Sequence, residues 1–363
     1  MKPVSTPLSV DIAITSQCNL RCRYCSHFTG ASDTGQDLAK EEWLDFFEEL
    51  NRCKVLNVVL QGGEPFLRKD LKMLIDGIVR NRMRFAILSN GTLITEGMAA
   101  FLASTRRCDN VQVSIDGSTP TSHDAFRGKG NFFKTIKGIE YLQKHCVPVS
   151  VRVTIHRKNV NDLNGIARLL LEDIGLDGFS TNSASHMGLC RQNAEQVQLT
   201  TEERTLAMAT LVKLNEQYSG RISATAGPLA EAKTWRLMEE AHGGKKAFIP
   251  GGGFLTGCSG PMDNIAVRSD GIMTPCSQLG HIELGRINVH DLKEVWQNHP
   301  DLKRLRERHH IALSRFEFCR ACEYMNYCTG NCPALAYTLE GDENHPSPDA
   351  CFKRFLAKGG RLP

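Results

Sequence analysis

Three cysteines fall inside the eight residues Cys18-Asn19-Leu20-Arg21-Cys22-Arg23-Tyr24-Cys25, with the spacing C-x3-C-x2-C. The run before them, Leu8-Ser9-Val10-Asp11-Ile12-Ala13-Ile14, alternates apolar and polar residues and predicts a β-strand. The thiols therefore sit on a loop at the end of a first strand. Loop thiols this close together bind metal more often than they pack as core. Two kinds of centre remain open on spacing alone. One is a zinc site completed by His27. The other is an iron–sulfur cubane in which each thiolate holds one iron and the last iron is left for a ligand that is not protein.

The chain has 363 residues, of which 41% are hydrophobic and 23% charged, enough for a large core and two or three domains. Its net charge is only +4, and the basic clusters Arg80–Arg84 and Lys303–Arg308 read as solvated helix faces, which argues against a nucleic-acid partner. No window approaches a membrane span, and residues 1–7 lack the apolar core of a secretion signal. A cytoplasmic protein is expected. Fourteen cysteines in a reducing compartment point to metal or catalysis rather than to disulfides. Ten of them form two sets, residues 18–25 and 258–351. The other four, Cys53, Cys108, Cys146 and Cys190, are expected to be small buried hydrophobes.

After a polar connection over residues 28–39, strands and helices alternate. Glu41 to Arg52 carries Trp43, Phe46, Phe47 and Leu50 at helical spacing. Val55–Leu60 predicts a second strand, which ends at Gln61-Gly62-Gly63-Glu64-Pro65. The proline is expected to open a helix running on through Leu71, Leu74, Ile75 and Ile78. Further strands are predicted at Phe85–Leu88, Val111–Ile115, Ser150–Ile155 and Phe179–Asn182, with a helix at Leu163–Glu172. The order predicts an α/β fold with a parallel sheet and right-handed crossovers. Ser89, Asn90, Ser114 and Asp116 stand at strand ends, where a parallel sheet places its site.

Residues 183–257 fit the repeat less well. A capping box, Thr200-Thr201-Glu202-Glu203, opens a helix there, and Gly251-Gly252-Gly253 reads as a flexible loop. The remainder holds a hairpin turning at Asp270-Gly271, a short strand at Leu284–Ile287, helices at Leu292–Gln297 and Leu302–His309, and seven cysteines. These are Cys258, Cys276, Cys319-x2-Cys322-x5-Cys328-x3-Cys332 and Cys351. Structural zinc would suit C-x2-C pairs. The expected domains are 1–190, a bridging segment 191–257, and a cysteine-rich domain 258–363.

With these motifs in view, the chain resembles the radical SAM superfamily, whose signature is the C-x3-C-x2-C loop with an aromatic residue, here Tyr24, before the last cysteine. Gly62-Gly63-Glu64-Pro65 resembles its second motif. The resemblance implies an open six-unit partial (β/α)6 barrel. It implies that Cys18, Cys22 and Cys25 hold a [4Fe-4S] cluster whose open iron binds S-adenosylmethionine, which is cleaved to a 5′-deoxyadenosyl radical. It further implies that Gln61, Gly62, Gly63, Glu64 and Pro65 meet the methionine amino group. Ser89, Asn90, Ser114 and Asp116 would line the nucleoside and methionine site, and Arg127, in His123-Asp124-Ala125-Phe126-Arg127-Gly128, would bind the carboxylate. A guanidinium suits that task because it can grip a carboxylate bidentately.

The C-terminal cysteines resemble the SPASM domain, the auxiliary-cluster extension of radical SAM enzymes, with all seven positions filled. The resemblance implies that Cys319, Cys322, Cys328 and Cys351 hold a distal cluster and that Cys258, Cys276 and Cys332 hold a nearer one. The nearer set has three ligands, so it either leaves an iron open or recruits a distant residue such as Cys190. The whole chain looks most like the radical SAM/SPASM maturases of SynChlorMet-type peptide cassettes. The implied reaction is hydrogen abstraction from a ribosomally made peptide, ending in oxidation or a crosslink, with flavodoxin or ferredoxin as electron donor. The first strand starts within ten residues of Met1, so a separate leader-recognition protein is expected. Other readings are a sulfatase maturase, which would have an aspartate where Ser277 stands, a haem-pathway radical SAM enzyme, and a non-enzymatic iron–sulfur or zinc protein. The residue acting as catalytic acid or base is not legible.

Overall fold

The computed structural model describes residues 3–26, 36–245 and 249–363. His27 and most of the polar connection 28–39 lie outside the described residues. Strand β1 (Ser9–Thr15) leads to the thiol loop. It is followed by α1 (Lys40–Arg52), β2 (Asn57–Gly62), α2 (Leu71–Arg80), β3 (Arg84–Ser89), α3 (Glu96–Thr105), β4 (Cys108–Ser114), α4 (Pro120–Arg127), α5 (Asn131–Lys144), β5 (Val149–Ile155), α6 (Leu163–Arg168) and β6 (Phe179–Ser183). The six strands are parallel and lie in sequence order.

The two sheet faces differ as period-2 alternation requires. Val10, Ile12, Ile14, Val58, Leu60, Phe85, Ile87, Val111, Val113, Val151 and Val153 are inaccessible. They share one core with Trp43, Phe46, Phe47 and Leu50 of α1 and Leu71, Leu74, Ile75 and Ile78 of α2. Each such side chain stabilises the fold by about 1.5–3 kcal/mol through burial. The residues between them on the strands, Gln61, Gln112, Ser114, Arg152, Thr154, Ser180 and Asn182, are half-buried and mostly polar. That second face is the wall of a polar groove.

The proline of Gly-Gly-Glu-Pro opens only a short 3-10 turn, Pro65–Leu67, and the helix expected from it starts later, at Leu71. Arg68 interrupts it in an extended conformation. Its guanidinium grips Asp70 with two bonds at 2.7 Å and donates to the carbonyls of Ile14, at 2.6 Å, and Leu38. Those bonds tie the end of β1 to the connection before α1, and a continuous helix could not place Arg68 to make them.

Beyond β6 come α7 (Gly188–Gln192), α8 (Ala194–Val197), α9 (Thr201–Gln217), β7 (Ile222–Ala224) and α10 (Pro228–His242). The capping box forms: Glu203 N donates to Thr200 Oγ1 at 3.2 Å, and Thr200 N donates to Glu203 Oε2 at 2.8 Å. β7 pairs parallel with β6, a seventh strand that its three residues were too few to announce. The glycine run 251–253 lies against the segment around Cys328. Gly253 N donates to Cys328 O at 2.8 Å, and a Cβ on Gly252 would lie 2.3 Å from Asn326 O.

The cysteine-rich part comprises α11 (Gly260–Asp263), β8 (Asn264–Val267), β9 (Ile272–Thr274), β10 (Gly285–Arg286), α12 (Leu292–Asn298), α13 (Pro300–Arg306) and shorter turns. The hairpin forms at Asp270-Gly271, where Gly271 takes the positive φ of 85° that the turn needs. β8 pairs parallel with β1, Ser9 facing Asn264, so one ten-stranded sheet runs β10-β9-β8-β1-β2-β3-β4-β5-β6-β7. The first strand thus has the barrel on one edge and the cysteine-rich hairpin on the other. Among the described residues no helix is long and apolar enough to cross a membrane.

Candidate cofactor and metal centres

The thiol loop is held by backbone contact with the glycine motif. Gly63 N donates to Thr15 O at 2.8 Å and Glu64 N to Gln17 O at 2.7 Å. A Cβ on Gly62 would lie 2.2 Å from Thr15 O, and one on Gly63 would lie 2.0 Å from Gln17 O. The two glycines are therefore needed for close approach, and Gln17, against which Gly63 presses, adjoins Cys18. The carboxylate of Glu64 is fully buried. It accepts from Ser89 Oγ and Asn90 N, both at 2.8 Å, and from Phe66 N at 3.2 Å. Asn90 Nδ2 donates in turn to Asn19 Oδ1 at 2.9 Å and lies 3.9 Å from Cys18 Sγ. Gln61, Gly62, Gly63, Glu64, Pro65, Ser89 and Asn90 thus form one connected structure around Cys18. Burial raises the Glu64 carboxyl to about 7.

A second wall is built on Asp116, which is fully buried at the end of β4. Its Oδ1 accepts from Thr154 N at 2.7 Å, and its Oδ2 accepts from Tyr24 Oη and Arg127 Nε. Burial alone would raise its carboxyl, but Arg127, His156, Tyr24 and His123 together hold it below the usual range. Arg127 lies over the Tyr24 ring at 5.5 Å, and His156 stacks on the other side of the cluster, 5.5 Å from Tyr24 and 4.4 Å from Phe126. Asp116 therefore fixes Arg127 and the aromatic residue of the thiol loop at once. Ser114 stands one turn of the strand earlier, half-buried on the groove face.

His123 and His156 are buried, each with an Nε2 that has no hydrogen-bond partner among the described residues. Burial depresses both to about 4. A buried histidine with a depressed pKa binds fewer protons folded than unfolded. Its stabilisation is complete above about 6.5 and is lost as pH falls toward 4, by about 3 kcal/mol for each histidine. Glu64 acts in the opposite sense, because its raised pKa costs stability as pH rises from 4.5 to about 7. Two histidines against one glutamate leave a net loss on acidification. His156→Gln should make the fall in unfolding free energy between pH 6.5 and 4.5 shallower. Denaturant titrations of parent and variant at several pH values check this, and equal slopes would count against it.

The segment after β6 clamps the thiol loop, a role the sequence did not announce. Leu189 N donates to Cys25 O at 2.9 Å, Asn193 Nδ2 to Arg23 O at 3.2 Å, and Arg23 Nη1 to Gln196 Oε1 at 2.8 Å. Cys190 belongs to this clamp. It is fully buried beside Tyr24, Phe126 and Val197, and its Sγ accepts from Gln198 Nε2 at 3.1 Å. Burial raises its thiol to about 11, and the charge of Asp349 acts in the same sense. Of the other isolated cysteines, Cys108 is buried as expected and Cys53 half-buried. Cys146 is exposed, because it closes a tight turn after α5 with φ of 55°.

The C-terminal thiols fall into two groups. Cys319, Cys322, Cys328 and Cys351 act electrostatically on one another, as do Cys258, Cys276 and Cys332. Gln278 Nε2 reaches Ser26 Oγ at 3.4 Å, which links the three-thiol group to the end of the first loop. Tyr324 and Tyr327 face α10 through Glu239 and the Ala241 carbonyl, and so serve as packing.

The donor set fits iron–sulfur chemistry. In three loops the N–H two residues on points at the thiol: Leu20 to Cys18 at 3.4 Å, Gln278 to Cys276 at 3.5 Å, and Gly330 to Cys328 at 3.4 Å. Such donors stabilise a thiolate. Yet among the described residues no three His, Cys, Asp or Glu side chains converge closely enough for one ion. Zinc needs its sulfurs about 2.3 Å from a single point, whereas a cubane spreads its ligands over several irons.

An open parallel α/β sheet with a three-thiol loop at the end of its first strand, joined to a module with two further thiol groups, defines a class of iron–sulfur enzyme. Residues 12–170 match the radical SAM superfamily, and residues 258–323 match the iron–sulfur cluster-binding domain SPASM. The chain is a radical SAM enzyme with a C-terminal SPASM domain, and its cofactors are S-adenosylmethionine and iron–sulfur clusters. It is 26% identical to the AdoMet-dependent heme synthase of Methanosarcina barkeri, over 96% of this chain and 97% of that protein. It is 23% identical to the PqqA peptide cyclase of Rhizobium meliloti, over 94% of this chain and 86% of that one. Its fold is similar to that of Streptococcus suis SuiB in the crystal structure with the precursor peptide SuiA. The TM-score is 0.75 at 16% identity, over 96% of this chain and 77% of that one.

Proposed function

We propose that this enzyme cleaves S-adenosylmethionine reductively and directs the resulting radical at a ribosomally made peptide. One observation carries the reading: the glycine motif, the end of β3 and the thiol loop form a single bonded structure around Cys18. In this reading Cys18, Cys22 and Cys25 hold the cluster that supplies the electron. The backbone of Gln61, Gly62, Gly63 and Pro65, together with Glu64, would receive the methionine amino group. Ser89, Asn90 and Ser114 line the groove. Arg127 gives Nε to Asp116, and its remaining nitrogens would hold the cofactor carboxylate, so Asp116 would act through Arg127. Cys258, Cys276 and Cys332 hold a nearer auxiliary centre, and Cys319, Cys322, Cys328 and Cys351 a distal one.

The peptide reading draws support from the likeness to the PqqA peptide cyclase. A second reading, chemistry on a porphyrin, draws support from the likeness to AdoMet-dependent heme synthases. Anaerobic reconstitution with iron and sulfide, followed by dithionite and S-adenosylmethionine, tests the common core. The parent should release 5′-deoxyadenosine and the Cys18/Cys22/Cys25→Ala variant should not. Absence of product from fully loaded parent, with candidate peptides and with porphyrin, would count against the radical chemistry proposed here. Tight porphyrin binding, with cleavage stimulated by porphyrin alone, would select the second reading.

A further inference from the structure

Arg308 lies in the turn Glu307–His310 that follows α13, and only 3% of it is exposed. Its Nε and Nη2 are buried without a hydrogen-bond partner among the described residues. A guanidinium keeps its charge inside a protein and is costly to bury without an anion. Its neighbours are better served. Arg306 donates to Pro261 O at 2.8 Å and Trp296 O at 2.6 Å, leaving Nη2 over, and stacks on Trp296 at 4.3 Å. Arg304 takes Asp301 and Glu343, so one of the acids near Arg308 is already engaged. Asp342 accepts from Asn344 N at 2.8 Å.

The charges that act on Arg308 are, in order, those of Cys258, Cys332, Asp342 and Glu343. The backbone brings the three segments together. Ile311 N donates to Arg308 O at 2.8 Å, and Leu255 N donates to Ile311 O at 3.0 Å, three residues before Cys258. Thr256 N and Gly257 N then donate to Thr329 O, both at 2.9 Å, three residues before Cys332.

We propose that Arg308 is the cationic partner of the nearer auxiliary centre, its unpartnered N–H groups serving the thiolate-bound iron–sulfur cluster of Cys258, Cys276 and Cys332. The inference rests on the ligand reading given above. Three thiolates carry an anionic cluster, and a cation buried beside it is compensated by that charge. A fixed cation beside it favours the state with one more electron, and hydrogen bonds to the sulfurs act in the same sense. Arg308 therefore raises the reduction potential of this centre selectively.

The test is a redox titration of the reconstituted full chain, followed by electron paramagnetic resonance, with Arg308→Gln and Arg308→Lys. The Gln variant should move one auxiliary midpoint negative by at least tenfold in the one-electron equilibrium, which is 59 mV. The Lys variant, which keeps the charge, should move it much less, and the other midpoints should stay. Loss of that centre's iron from the Gln variant, with retention in the Lys variant, would also support the proposal. An unmoved midpoint in a fully loaded Gln variant overturns it, and so does equal loss of iron from both variants. A Cys276→Ala variant separates the two claims. If it abolishes the signal that Arg308→Gln leaves unmoved, only the Arg308 proposal fails; if it keeps every signal and all iron, the ligand reading fails.

Discussion

Asp116→Asn is expected to cost about 3–5 kcal/mol of stability and to abolish S-adenosylmethionine binding. Asp116 is fully buried, and its partner Arg127 is only 6% exposed. The carboxylate takes three hydrogen bonds, from a backbone N–H, a phenol and a guanidinium. An asparagine has one acceptor oxygen and presents an amine to donors on its other side, so at least one donor loses its partner. The guanidinium is then left charged with no anion. Burial raises the Tyr24 hydroxyl well above its ordinary range, so that phenol cannot replace the lost charge. Chemical unfolding of the cluster-free protein measures the cost. The companion double variant Asp116→Asn/Arg127→Met should be less destabilised than the sum of the two single changes, since removing both charges removes the penalty of the orphan. Additive costs would show that the pair does not act as a unit. The exposed pair Arg84–Asp109 should be far less sensitive to the same change.

Gly63→Ala is expected to remove the cluster of the first loop while the C-terminal centres stay. The added methyl would meet Gln17 O at 2.0 Å, Gln17 C at 2.3 Å and Cys18 N at 2.9 Å, all backbone atoms. No rotamer change relieves that clash, so the thiol loop must move off the glycine motif. Overpacking against backbone costs at least the 1–3 kcal/mol typical of cores. The direct measurement is iron content after reconstitution, which should fall by about four per chain, one cubane. A control sits in α3, where a Cβ on Gly97 meets nothing within 4 Å. Gly97→Ala should leave iron unchanged and raise stability by about 0.5–1 kcal/mol. Full iron loading in Gly63→Ala would mean that the loop is not braced by this contact.

Much of the site was legible because its chemistry depends on residue types at fixed local spacing. The three thiols of the first loop must lie close in sequence to share one loop. Gly62 and Gly63 must be glycines because another backbone passes within about van der Waals distance of them. The strand pattern was legible for a similar reason, since β1, β4 and β5, with one buried apolar face, leave an alternation of apolar and polar residues. Where an element is short, that signal vanishes. β7 has three residues, and Pro65 opens a turn and not a helix because Arg68 is pulled out to reach the carbonyls of Ile14 and Leu38.

What only the tertiary structure decided is which distant groups share a charge or a hydrogen bond. Nothing local in Asp116 says that it will take up Tyr24 and Arg127 together, nor in residues 189–196 that they will clamp the thiol loop. The packing of Cys190 beside Tyr24 and Phe126 is of this kind, and so is the burial of Arg308 where the charges of Cys258 and Cys332 act on it. The sequence alone determined the ligand types and the alternating core, because each is enforced by neighbours a few residues away. Partnership across the molecule depends on the pairing of β8 with β1, which joins segments some 250 residues apart and sets which buried charges must answer one another.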